Sequence, residues 1–407
     1  MGLFRWRKSF SAFVAGVAVD ILVHSQSPVP KMLIRPQSTP GKHVVNLAFS
    51  LNRACNLRCK HCNLSNEFKK DMTFLDEARL EHFMEVGRRF LAQNEGHFSD
   101  INMLITGGEV TMLPKAEFRR IVTRLSEYFS ELRANFPNTS RVALATNLAA
   151  LSEEKRELML ELGQDDDVRL EIATSYDLTT DRFRKPMVRK KWEQNLEWFK
   201  KRGIRPTIFW TLCKGDGQNF KRIADYLFSF DLPVTYLITL PFGEARTNYD
   251  TIMPAYEDVQ RFLINFYEYA YSRGLQHLLP RKTYYAFDKI INVIFEHKGY
   301  IFFDVFGQDE ILEIEKHGRP PSIFENEYFM MANGDPQAVA DQLSRTYVRF
   351  SRDEQRYLSK VGCYGCRHFE ACGGGHRLSR KMFDTPEACA GYKGVFEHFQ
   401  RHPLHAY

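Results

Sequence analysis

Between residues 44 and 240 two hydrophobic patterns alternate along the chain. Short runs that are almost wholly apolar, at 44–50, 101–106, 141–146, 168–175, 207–212 and 234–240, read as strands of a buried sheet. Between them apolar residues recur at helical spacing. One stripe is Leu80, Phe83, Met84, Phe90 and Leu91; the next is Phe118, Ile121, Val122, Leu125, Phe129 and Leu132. Thr73, with Asp76 three residues on, reads as a helix cap, Pro114 as a helix opening and Ser152 as a further cap. Helices are also expected near 192–201, stopping at Gly203, and over 220–230. Six β–α repeats predict parallel strands joined by right-handed crossovers, in a doubly wound sheet or a partly closed barrel. In a barrel the chemistry sits on loops at the strands' C-terminal ends.

After Phe242 the pattern changes. Long helices are expected over 255–273 and 282–297, ending at Gly274 and Gly299, with no strand alternating with them and one strand at 301–306. Gly318-Arg319-Pro320-Pro321 and Asn333-Gly334-Asp335-Pro336 break the chain. The expected organisation is an N-terminal extension and linker at 1–43, an α/β core at 44–250, a helical bridge at 251–352 and a small module at 353–407. Arg5, Arg7 and Lys8 before the apolar run 10–19 imitate a signal peptide, but Asp20 ends that run early. The run is read as an extension packing on the core. No segment is long and apolar enough to span a bilayer.

A chain of 407 residues suits one large domain plus a smaller module. Its net charge of +6 comes without a basic run, which argues against nucleic acid as a partner. The eight cysteines fall as three near residue 60, one at Cys213 and four near the C-terminus. That grouping is no disulfide framework and suits the reducing cytoplasm.

The first group reads Cys55-x-x-x-Cys59-x-x-Cys62 and follows the first strand. Three thiolates on one short loop can hold three corners of a 4Fe–4S cube, leaving one iron open to a non-protein ligand. A zinc site or three unrelated buried thiols are the alternatives. The spacing resembles the signature of the radical SAM superfamily. The resemblance implies a partial (β/α)6 TIM-type barrel and a cluster whose open iron chelates S-adenosylmethionine, which is cleaved to a 5′-deoxyadenosyl radical. It places His61, where an aromatic residue is usual, beside the adenine; simple solvent exposure is the alternative.

Further motifs extend the resemblance. Gly107-Gly108-Glu109 ends the second strand, where a carboxylate suits a cationic amine and paired glycines permit close approach. In the superfamily this motif contacts the methionyl amino group. Ser175-Tyr176-Asp177 and then Asp181-x-x-Arg184 are similar to a segment that holds the ribose or carboxylate, which implies roles for Ser175 and Arg184. Leu178 stands where glycine usually follows the aspartate, and Thr146-Asn147-Leu148 departs from the usual T-N-G, which makes Asn147 a weak candidate. Asp177, Tyr176, Tyr236 and Glu244 fall near strand ends as unassigned acid–base candidates.

The C-terminal set, Cys363-x-x-Cys366-x5-Cys372 and Cys389, can satisfy a complete 4Fe–4S cluster or a structural zinc site. It resembles the SPASM auxiliary-cluster domain, shorn of the upstream cysteines and with His376 in place of a further one. The resemblance implies one auxiliary 4Fe–4S cluster and an electron exit through it. Pro241-Phe242-Gly243-Glu244-Ala245 resembles a segment of peptide-modifying members of that group. Such relatives act on ribosomally made precursor peptides, drawing electrons from a flavodoxin or ferredoxin. The implied function is therefore peptide crosslinking or another oxidative modification. The rivals are dehydrogenation or epimerisation of a carbohydrate or small metabolite, and a zinc-binding scaffold without radical activity.

Overall fold

The structure is a computed structural model. It describes residues 44–279 (without 63, 67, 96–99, 137–141, 150, 167, 169, 179, 180 and 240–242), 297–304, 335–369 and 392–404 (without 403). The N-terminal extension, most of the helix expected over 282–297, the break at 318–321, Cys372, His376 and Cys389 lie outside the described residues.

Seven parallel strands form one sheet: β1 Val44–Ser50, β2 Asp100–Thr106, β3 Val142–Ala145, β4 Glu171–Tyr176, β5 Thr207–Leu212, β6 Val234–Ile238 and β7 His297–Asp304. Their spatial order is β6-β5-β4-β3-β2-β1-β7. From β1 to β6 the order follows the chain without a reversal. A doubly wound sheet reverses at a switch point, so this is the barrel alternative. Among the described residues the edge strands β6 and β7 do not pair, and the barrel is open there.

Among the described residues the longer helices are α1 Glu77–Gln93, α2 Lys115–Arg133, α3 Glu153–Gln164, α4 Pro186–Lys200, α5 Phe220–Phe228, α6 Tyr256–Ser272, α7 Pro336–Lys360 and α8 Lys393–Arg401. Strand residues alternate between two environments. In β2, Ile101, Met103 and Ile105 are buried in the helix-side core, whereas Asn102, Leu104 and Thr106 are half-exposed. β4 repeats this: Thr174 receives the Trp192 indole N–H at 3.0 Å, and Tyr176 packs among Phe183, Trp192 and Tyr226. Side chains like these, fully buried, each stabilise by about 1.5–3 kcal/mol. The other face of the sheet carries Ala143, Ala145, Ala173, Ser175 and Thr207, with the larger Leu104 and Phe209 beside them, all part-exposed. That face is the open interior of the barrel.

Two local readings are corrected. The cap of α1 is Asp76, whose side chain accepts from Arg79 N at 2.8 Å; Thr73 lies outside the helix, its N–H bound to Asp71. Ser152 caps α3 as expected. Gly299 does not end a helix. It lies inside β7, which pairs in parallel with β1, so the stretch after 250 returns a strand to the core sheet. Nothing in its local pattern marks that long-range pairing.

Past the tip of β5 sits a buried acid, Asp216. Its Oδ2 accepts Trp210 Nε1 and Cys213 N, both at 3.0 Å, while Oδ1 has no partner. Burial pushes its carboxyl up to about 6 from 3.8. The folded chain keeps a proton that the unfolded chain releases. This stabilisation is therefore fully present below about pH 4 and is lost as pH rises through about 6. In urea melts between pH 4 and 7, Asp216→Asn is expected to gain on the wild type as pH rises. A gap that stays constant across this range contradicts the assignment.

Candidate active site

β1 leads directly into the cysteine loop, and neighbouring backbone fixes the entry. Leu51 N donates to Thr106 O at 2.9 Å, Gly108 N to Asn52 O and Glu109 N to Ala54 O at 2.7 Å. A Cβ on Gly108 would lie 2.2 Å from Arg53 O and 2.3 Å from Ala54 O; one on Gly107 would meet Asn52 O at 2.6 Å. The close approach that the paired glycines permit is thus made by the chain itself. On the other flank, Leu75 N donates to Leu51 O at 2.8 Å and Cys55 N to Lys69 O at 3.1 Å. Residues 51–55 are clamped from both sides before the first cysteine.

Cys59 is buried, Cys55 and Cys62 are partly buried, and the three pack with Leu57, Ala149 and Val188. Leu57 N–H points at Cys55 Sγ and Leu64 N–H at Cys62 Sγ, both at 3.4 Å. Asn147 Nδ2 lies 4.0 Å from Cys55 Sγ. Burial pushes the Cys59 thiol up to about 12 and raises Cys55, while Arg182 pulls both down. Among the described residues no three His, Cys, Asp or Glu side chains converge on a single ion. A cube takes its sulfurs on separate irons, so it suits donors spaced more widely. Three sulfurs on one loop, two with N–H groups aimed at them, fit such a cluster.

Glu109, 1% exposed, is locked in a cage. Its Oε1 accepts from Thr111 N at 3.1 Å, Thr111 Oγ1 at 2.6 Å and Thr146 Oγ1 at 2.7 Å, and its Oε2 from Asn147 N at 2.6 Å. Asn147 in turn donates to Asn56 Oδ1 at 2.8 Å and accepts from Ala149 N at 2.8 Å. The weak sequence candidate Asn147 therefore joins the β2 tip to the cysteine loop. Leu148, standing where the T-N-G pattern has glycine, adopts a φ of 53°. That is glycine's conformation, held by a leucine at a cost of about 1–2 kcal/mol.

At the tip of β4 a second group forms. Arg182 Nε donates to Asp177 Oδ2 at 2.9 Å, and its terminal nitrogen lies 3.3 Å from His61 Nε2. His61 Nδ1 lies 3.4 Å from Asp177 Oδ2, and the side chains of His61, Asp177 and Arg182 are 9%, 0% and 10% exposed. Burial pushes His61 down to about 4, so the ring is neutral. Solvent exposure, the alternative reading of His61, is overturned. Ser175 is half-buried on the inner face, whereas Arg184 is exposed and Arg182 is the arginine turned toward the loop. Arg182 was not singled out from the sequence. The signal is that Phe183 packs outward on Tyr176 and Trp192, which turns its neighbour inward.

Of the acid–base candidates, Tyr176 and Tyr236 point into the helix layer, Tyr236 against Phe262 and Phe266. Asp177 and Glu244 reach the cysteine loop. Glu244 Oε1 accepts from Asn66 N at 2.7 Å and Ala245 N donates to Cys62 O at 3.1 Å. The short helix Gly243–Thr247 after β6 thereby ties back to the loop after β1 across the open side of the barrel. Cys213 is buried, its sulfur 3.6 Å from Thr211 O and 3.7 Å from Thr239 Oγ1.

Cys363 and Cys366 lie in a turn just beyond α7, after Gly362 at a φ of 74°. α7 docks on α1: Gln93 Nε2 donates to Asp341 Oδ1 at 2.6 Å, and Asn94 Nδ2 to Ser344 Oγ at 3.0 Å. The helix leading to the second cysteine set is thus bolted to the helix that follows the first.

Residues 49–244 match the family model for the radical SAM superfamily. Across this segment the chain carries a radical SAM domain. The family works with a 4Fe–4S cluster and SAM, and the radical SAM segment of this chain ends on Glu244, within the short helix that ties back to the cysteine loop. No curated protein sequence matches the chain at a significant level. Among solved structures it is similar to anSMEcpe with bound AdoMet and the Kp18Cys peptide, at a TM-score of 0.55 and 15% identity, covering 89% of this chain and 98% of that one. It is also similar to Streptococcus suis SuiB bound to precursor peptide SuiA, at a TM-score of 0.52 and 12% identity, covering 94% and 86%. At these identities the likeness is one of fold.

The clamp around Gly108 gives a direct test. Gly108→Ala places a methyl group against two backbone carbonyls and is expected to lose the first cluster, about half of the iron retained after anoxic reconstitution. Gly217→Ala, which meets nothing within 4 Å, is expected to retain it. Equal iron per chain in the two variants contradicts the clamp.

Proposed function

We propose that the protein is a radical SAM peptide maturase that takes hydrogen from a ribosomally made precursor peptide, leaving a crosslink or related oxidative modification. The observation that carries this reading is the cysteine loop held at the mouth of an open barrel with a part-exposed inner face. Cys55, Cys59 and Cys62 hold the 4Fe–4S cluster, and Cys363, Cys366, Cys372 and Cys389 hold one auxiliary cluster. Bound there, the cluster and SAM supply a 5′-deoxyadenosyl radical, and the auxiliary cluster supplies an exit for the electron.

The chain's own residues bind and orient. Gly107, Gly108 and Glu109 would contact the methionyl amine, with the Glu109 carboxylate fixed by its four donors. The His61 ring would lie beside the adenine, and Ser175 and Arg184 would hold the ribose or carboxylate. A radical attacks the nearest carbon, so positioning dominates the catalysis, and the short helix Gly243–Thr247 helps keep water from the site. The open side between β6 and β7, and the half-exposed inner face around Ala145, Ala173 and Ser175, leave room for an extended chain. The peptides bound by anSMEcpe and SuiB support that choice of substrate. The thiols and the need for a flavodoxin or ferredoxin as reductant suit the cytoplasm. No helix among the described residues is long and apolar enough to cross a membrane.

Anoxic reconstitution should give about seven to eight irons per chain, the content of two clusters. With dithionite and SAM the protein should release 5′-deoxyadenosine, and Cys59→Ala should abolish this. Zinc in place of iron sinks the radical reading. A short peptide encoded beside the gene should lose hydrogen by mass; turnover of a sugar instead sinks the peptide assignment alone.

A further inference from the structure

Arg182 is a buried guanidinium that the superfamily motif does not account for. Two anchors fix it. Phe183, in the same turn, is locked outward against Tyr176 and Trp192. Asp177, itself fully buried at the tip of β4, accepts the Arg182 Nε–H at 2.9 Å. The third contact is the Nε2 of His61, between Cys59 and Cys62 in sequence. A full positive charge therefore stands beside the cysteine loop, where low polarity lets it act over several ångströms.

The guanidinium spans two groups: its Nε–H is held by Asp177, and its terminal nitrogen reaches the cysteine loop at His61. Lys69, 2% exposed and bound to the neutral Asn66 amide at 3.2 Å, adds a second buried cation on the flank of the loop. The acid on the other side, Glu109, is already enclosed by four donors.

We infer that Arg182 is a positioning residue for the first cluster: a fixed cation that stabilises negative charge on the cysteine sulfurs and raises the cluster's reduction potential, with Asp177 as its anchor and counterweight. The inference rests on the reading of Cys55, Cys59 and Cys62 as cluster ligands. Net charge and hydrogen bonding near the sulfurs are the levers that set such potentials. Reduction adds an electron to an already anionic assembly, so removing the cation penalises the reduced form, and removing the anion favours it.

The test is an anoxic redox titration of the reconstituted full-length protein without SAM, read by electron paramagnetic resonance. The first cluster is the one whose signal changes when SAM is added afterwards. Arg182→Gln is expected to move its potential to more negative values, Arg182→Lys to stay near the parent, and Asp177→Asn to move it to more positive values. Iron per chain should be unchanged in all three. A mere loosening of the loop would shift Arg182→Gln and Asp177→Asn in the same direction, and that result overturns the inference. So does an unchanged potential in Arg182→Gln, including the case where SAM binding alone is lost, which would assign the residue to SAM. Should Arg182→Gln fail to load iron, Asp177→Asn decides, and a potential not raised overturns the inference. A wild-type protein that forms no iron–sulfur cluster overturns the underlying reading as well.

Discussion

The contact on which the site depends is between backbones. Gly107 and Gly108 lie so close to residues 52–54 that a single methyl group on Gly108 would overlap two carbonyl oxygens. Through this contact β1 and β2 stay paired beyond their ends, and the first cysteine emerges from a stretch whose position is set to within a hydrogen bond on each side. The same approach delivers Glu109 into its cage, because Asn52 Nδ2 donates to Glu109 O at 3.0 Å and the side chain then meets Thr111, Thr146 and Asn147. One steric fact thus places a cysteine loop and a carboxylate together.

Charge around that loop is arranged rather than minimised. Burial alone would keep all of these groups neutral. The chain instead buries Arg182 with Asp177 and keeps His61 neutral between them. It also accepts a left-handed leucine at Leu148, whose N–H is bound by Thr146 Oγ1 at 3.2 Å and whose carbonyl receives the Asn195 amide at 2.7 Å. These bonds hold the turn that presents Asn147 to Cys55. Local strain next to a ligand loop is what a site that must be rigid before its cofactor arrives would tolerate.

An open barrel needs other means of keeping its rim together. Here the short helix after β6 reaches the cysteine loop through Glu244 and Ala245, and β7 extends the sheet beyond β1. Outside the barrel, the polar contacts of α7 with α1 and the pairing of His398 with Glu268 at 2.6 Å join the C-terminal helices to the core. These joints relate the Cys363–Cys366 turn to the first loop by rigid elements.

Much of this was legible in the chain itself. The strand–helix alternation gave the parallel α/β class, since apolar runs and helical stripes are local signals, and the caps at Pro114 and Ser152 fell where expected. Cysteine spacing gave the candidate ligands, because three sulfurs on one loop need no long-range information to be near each other. What the chain alone could not decide depends on contacts between distant residues. The choice of an open barrel over a doubly wound sheet is a matter of strand order, and β7 joins β1 across about 250 residues of sequence. Arg182 rather than Arg184 faces the loop because Phe183 finds a pocket made by Tyr176 and Trp192, two residues from different elements. Spacing along a chain names the atoms that could react; only the packing of remote side chains decides which way they point.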